Sequence, residues 1–83
     1  MKEEIRRILK EVANLQVPVE SLRDDDDLFA AGLSSLTTIE VIMAIESHFG
    51  IEISDEAMTP KLFESIDSLH RAVQASRRNE QTL

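Results

Sequence analysis

The stretch from Leu36 to Phe49 restricts this chain's possible folds more than any other segment. Leu36, Ile39, Val41, Ile42, Met43, Ala44, Ile45 and Phe49 are apolar, and only Glu40, Glu46, Ser47 and His48 are clearly polar in its latter part. A helix this apolar around its circumference is either central to a core or presents apolar surface to something else. Gly50 is placed to stop it. With 83 residues and no cysteine, neither disulfides nor a thiolate metal site can stabilise the fold. Packed helices around this central one are therefore expected, in a single domain over 1–83 with a small core.

The flanking segments agree. Ile5, Ile8, Leu9, Val12 and Leu15 recur at helical spacing, and Pro18 disfavours helix at Val17, so a first helix should stop near Leu15. Residues 16 to 33 show no sustained period. A connection of this length is uncommon unless it is functional. Val17, Val19, Leu22, Leu28, Phe29 and Leu33 can pin it to the core. Within it, Asp24 to Asp27 lack the spacing and turn glycine of a calcium loop and read as a solvated, turn-forming stretch. Ile51 and Ile53 suit an extended connector that plugs the core. A short irregular helical region is expected around Ser54–Glu56 and Thr59–Phe63, with Thr59-Pro60 as cap and first residue. A last helix should start after Ser65 and end near Ser76, with Asp67 suiting its positive end and Arg71 and Arg77 its negative end. The ordered part is expected over about 2–76, with 77–83 as a frayed tail.

Charge and motifs exclude several functions. The net charge of −7 disfavours nucleic acid and anionic lipid as partners and favours basic protein surfaces. No apolar run approaches the roughly 18 residues that span a bilayer, and the charged start Met1-Lys2-Glu3-Glu4 is unlike a signal peptide, so a cytoplasmic protein is expected. His48 and His70 fall on predicted solvent-facing positions of different helices, and no metal-ligand spacing or glycine-rich phosphate loop occurs. The chain reads as a non-enzyme with no metal site.

The segment Asp27-Leu28-Phe29-Ala30-Ala31-Gly32-Leu33-Ser34-Ser35-Leu36 brings small residues to the amino end of the most apolar helix. On local chemistry alone either serine could be an N-cap and nothing more.

Gly32-Leu33-Ser34-Ser35-Leu36, with Thr37 to Glu46 after it, resembles the Gly-x-Asp-Ser-Leu motif that opens the second helix of the acyl carrier protein family. Phe49-Gly50-Ile51-Glu52-Ile53 and Phe63-Glu64-Ser65-Ile66-Asp67-Ser68-Leu69 are similar to that family's later segments. The resemblance implies an all-α, acyl-carrier-protein-like four-helix bundle: three main helices, one short helix and a long first loop. It implies that a phosphopantetheinyl transferase moves 4′-phosphopantetheine from coenzyme A to Ser35. The arm then holds acyl or aminoacyl groups as thioesters, loaded by an acyl- or amino acid-activating ligase and passed to a downstream synthase or transferase. It further implies that Ser34, Leu36, Ile39, Glu40, Met43 and Glu46 meet partners, with Glu40 and Glu46 facing basic residues. Core packing is the other reading of Ile39 and Met43. Gly32 and Ala31 are expected to leave room for the transferase, and a monomer is expected. Ser34 replaces the family's usual aspartate, which helps to dock the transferase; neighbouring acids or a divergent transferase would compensate. The Gly-Leu-Ser-Ser form is similar to stand-alone carriers charged with amino acids. The competing reading is an unmodified acidic helical adaptor for a basic partner; an independent hydrolase using Ser35 is weaker, since no base is placed beside it.

Overall fold

The computed structural model describes residues 1–81. Three helices carry the core, and no strand occurs among the described residues. Helix α1 spans Lys2–Ile8 and continues as a π-helical turn over Leu9–Ala13. Its last helical residue, Ala13, lies two residues before the expected stop, and the following Asn14 is left-handed at φ 51°. Asparagine tolerates that conformation better than most residues with a Cβ. Helix α2 spans Ser35–Phe49 and is closed by Gly50 at φ 64°. Helix α3 spans Ile66–Gln81. It runs past the expected end at Ser76; the last two residues of the anticipated tail, Thr82 and Leu83, lie outside the described residues. Arg71 therefore sits in the first half of α3, where it donates to Ser68 Oγ at 3.3 Å, rather than at the helix's negative end.

The short helical region between α2 and α3 consists of two 3₁₀ turns, Asp55–Ala57 and Pro60–Phe63. Thr59 precedes Pro60 in extended geometry, as a residue before proline should. The connector isoleucines behave as anticipated: Ile51 and Ile53 are both buried. Ser65 Oγ accepts the Ser68 N–H at 3.1 Å and so caps α3.

Ile5 and Leu9 of α1, Val41 and Ile45 of α2, and Ile66, Leu69 and Val73 of α3 are fully buried and meet in one cluster. The first loop is fastened to this core by Val19, Leu22, Leu28 and Leu33. Val17 and Phe29, also expected to pin it, instead remain exposed.

Polar contacts complete the fastening. Arg6 donates to the carbonyls of Val19 and Leu22, both at 2.9 Å, and to Asp24 at 2.6 Å. Lys2 reaches Asp24 at 3.2 Å and Asp67 at 2.7 Å. The Asp67 N–H donates to the Asp24 carbonyl at 2.9 Å. Asp24, although still partly exposed, is thus a junction between α1, the loop and the start of α3, a role its place in an acidic run did not suggest. Asp26 and Asp27 do form turns, accepting the N–H groups of Arg23 and Phe29.

Candidate functional site

The site begins where the first loop enters α2. Ser34 is extended (φ −106°, ψ 162°) and is the N-cap. Its hydroxyl accepts the Thr37 N–H at 3.3 Å, while Thr37 Oγ1 accepts the Ser34 N–H at 3.1 Å. This is a reciprocal capping box built with threonine where glutamate or glutamine is usual. Ser35 is the first helical residue and is exposed. Its hydroxyl has no hydrogen-bond partner among the described residues; only its carbonyl is used, accepting from Thr38 Oγ1 at 2.6 Å. The structure thereby separates two serines that local chemistry left equivalent as candidate caps: the Ser34 hydroxyl holds the helix end, and the Ser35 hydroxyl is free of partners among the described residues.

No base stands beside Ser35 along its helix. His48 lies thirteen positions further on, about 20 Å at 1.5 Å per residue, and bonds Glu4 through Nε2 at 2.8 Å. That contact is the main reason the Glu4 carboxyl titrates below its ordinary value. His70 is half-buried on α3, a more covered position than anticipated. A serine hydroxyl without an adjacent base is a poor nucleophile. Chemistry at Ser35 must be activated from outside the chain.

Gly32 has a different task from the one expected. Its φ is +112°, and a Cβ there would come within 2.9 Å of both Gln16 Cγ and the Gln16 backbone nitrogen. The missing side chain makes room for Gln16, not for an incoming enzyme. Ala31 is buried, and its carbonyl accepts the Gln16 N–H at 2.9 Å. Together they lock the first loop against the turn that delivers Ser35.

Two surfaces adjoin the serine. One is a groove of about 200 Å³ lined by Ser35, Phe29, Thr38, Phe63 and the Met58–Pro60 turn. Sequence reasoning missed this groove because its walls come from three separate segments. The other is a row on α2. Leu36, Ile39 and Met43 are 82%, 59% and 63% exposed. They follow i, i+3, i+7 spacing, so they share one face, and Glu40 is exposed beside them. The core-packing reading of Ile39 and Met43 is thereby set aside. Glu46 is half-buried, and its carboxylate accepts the Ile53 N–H at 2.9 Å, so it acts within the fold as a clasp on the connector.

A 4′-phosphopantetheine group fits these residues. An exposed, unbonded hydroxyl can carry its phosphodiester, the helix amino end favours the negative charge, and the apolar groove gives the arm a surface beside its root. When bound, such a group supplies a thiol that forms thioesters.

Comparison with known proteins agrees with the geometry. Residues 3–73 match the family model described as phosphopantetheine attachment site. An aminoacyl carrier protein of Agrobacterium fabrum is 38% identical over 73 residues, 88% of each chain. Among structures, a carrier protein from Agrobacterium tumefaciens, complexed with engineered Bradyrhizobium japonicum glycine:carrier protein ligase and AMP, superimposes with a TM-score of 0.86. It is 38% identical, with coverage of 89% of this chain and 99% of that one. The holo acyl carrier protein of Nitrosomonas europaea gives 0.83 at 28% identity, covering 93% and 95%.

The chain belongs to the phosphopantetheine-attachment family of carrier proteins. It is a carrier and not an enzyme, its cofactor is covalent 4′-phosphopantetheine, and its fold is that of acyl carrier proteins. No helix among the described residues is long and apolar enough to cross a membrane.

Proposed function

We propose that Ser35 Oγ carries the 4′-phosphopantetheine arm and that the cargo is an amino acid, loaded by an ATP-using ligase and handed to a downstream transferase. The observation that carries this reading is the division of labour between the two serines. Ser34 Oγ is committed to the helix cap, whereas Ser35 Oγ is exposed and unbonded at the first turn of α2. In the attachment step the Ser35 oxygen bonds to the pantetheine-bearing phosphorus of coenzyme A. The bond from that phosphorus to adenosine 3′,5′-bisphosphate breaks, and the hydroxyl proton passes to a base on the transferase.

The amino acid class is supported by the 38% identical aminoacyl carrier and by the carrier seen with a glycine ligase. Leu36, Ile39, Glu40 and Met43 form the face that partner enzymes meet, and Ser34 holds the end of that face in place. The cytoplasm, which holds the coenzyme A donor, is the place of action.

The test is intact mass after incubation with coenzyme A and a broad-specificity phosphopantetheinyl transferase. The parent should gain one phosphopantetheine and Ser35→Ala none. Addition that persists in Ser35→Ala would move the site to Ser34, and no addition with several transferases would favour the unmodified adaptor. Incubating the holo protein with ATP, individual amino acids and a carrier-protein ligase then reads the cargo as a second mass increment.

A further inference from the structure

The chain has 16 acidic residues, yet none stands in the first turn of α2. Helix α1 opens on Glu3 and Glu4, and α3 on Asp67. At the two α2 positions where a carboxylate is commonest, hydroxyls stand instead. Ser34 takes the place of the family motif's aspartate, and Thr37 that of the glutamate or glutamine of an ordinary capping box. The nearest acids along the chain do not substitute for them: Asp27 accepts the Phe29 N–H at 2.9 Å, and Glu40 lies in the second turn. Of the first-turn N–H groups, that of Thr37 reaches the Ser34 hydroxyl at a long 3.3 Å. Those of Ser35 and Leu36 have no acceptor among the described residues.

We propose that Ser34, Thr37 and Thr38 leave the positive end of α2 uncompensated until Ser35 is modified, so that the phosphodiester attached there becomes the helix's anionic partner and the holo carrier is the more stable form. The proposal rests on Ser35 carrying the arm. Range decides its sign. One more negative charge on a chain of net charge −7 adds repulsion spread over the whole molecule. Salt screens most of that repulsion beyond about 8 Å at physiological ionic strength. Attraction to the free donors of α2 acts within a single turn, about 5 Å, and therefore prevails. Modification then supplies the thiol and also tightens the start of the helix on which the arm is rooted.

The experiment compares thermal melts of the apo and holo protein, and of Ser34→Asp in both forms, at about 50 and about 500 mM NaCl. Intact mass first establishes one arm on the parent and its loss in Ser35→Ala. At low salt the holo parent should melt roughly 2–6 °C above the apo parent. High salt should remove at least about half of that gain. Ser34→Asp already provides an anion, so modification should raise its melting temperature by less than about half as much. A second pair needs no arm: Ser35→Asp should melt above Ser35→Asn near neutrality and lose that advantage as its carboxyl protonates. If no arm attaches at Ser35, the proposed function fails, and this pair still decides the charge argument. Four results would overturn the proposal: a holo protein no more stable than the apo, an equal gain in Ser34→Asp, Ser35→Asn as stable as Ser35→Asp, or a gain indifferent to salt. The last would assign the stabilisation to apolar contact between the arm and the groove.

Discussion

Gln16 and Gly32 sit so close that a single methyl group would not fit between them: a Cβ on Gly32 would lie 2.9 Å from the Gln16 backbone nitrogen. That nitrogen already donates to the Ala31 carbonyl, so it cannot retreat without losing a hydrogen bond. The start and the end of the first loop are held together here, three residues before Ser35. Gly32→Ala should cost at least about 1–3 kcal/mol from its backbone conformation alone, with the clash in addition. Gly50→Ala meets open space and a left-handed φ of 64°, and should cost only about 1–2 kcal/mol. Urea unfolding of the two variants checks the order, and equal losses would show that the contact with Gln16 yields freely.

The two serines should separate stability from modification. Ser34→Ala removes the cap and should cost about 1 kcal/mol. Ser35→Ala removes no side-chain hydrogen bond among the described residues and should stay within about 0.5 kcal/mol of the parent, while losing the phosphopantetheine mass increment. Ser34→Asp keeps a capping oxygen and adds negative charge at the positive end of α2, so it should be at least as stable as the parent. It should also be modified faster, since it restores the acid that the family motif carries at this position. Denaturant curves and the rate of mass gain read the two effects independently.

Two isoleucines of α2 should differ sharply. Ile45 is fully buried and Ile39 is 59% exposed. Ile45→Ala should cost about 2–5 kcal/mol, much of the roughly 4–12 kcal/mol available to a domain of this size. Ile39→Ala should change stability by no more than about 0.5 kcal/mol. Thermal melts of both variants decide the point, and comparable losses would mean that Ile39 packs inward.

Acid should release the junction at Asp24. Arg6, and then Lys2, hold its carboxyl below the ordinary aspartate value. A carboxyl depressed in the folded state contributes stability above its unfolded pKa and loses it as pH falls through the folded one. Asp24→Asn should therefore melt at a lower temperature than the parent near neutrality, and the two curves should converge as pH falls below the ordinary aspartate value. Protonation of the other acids relieves self-repulsion in both proteins, so the difference between them isolates Asp24. The Lys2 ammonium is raised, first by Asp67 and then by Asp24; its contribution is present at neutral pH and lost only as pH rises through that elevated value. A constant gap between the parent and Asp24→Asn across the acid range would remove Asp24 from this role.

Much of this protein is written in local sequence. The α1 stripe, Gly50 as the stop of α2, Ser65 as a cap and the Thr59-Pro60 turn each depend on residues within one helical turn, where propensity and capping act without distant help. The motif around Ser35 was legible for the same reason, as a loop of small residues running into a helix start. What only the tertiary structure decided are the relations between segments far apart in the chain. Periodicity separates helix faces when one side is polar, and α2 is apolar on most sides, so only the packing of the rest of the chain around it determines that Ile45 turns inward and Ile39 outward. Asp24 looked like one of four solvated acids until Lys2 and Arg6 were brought to it. Gly32 looked like an opening for an enzyme until Gln16 filled the space. Ser34 and Ser35 were equivalent as candidate caps because either register satisfies the same local hydrogen-bond need; the folded approach of the first loop selects Ser34, and leaves Ser35 free.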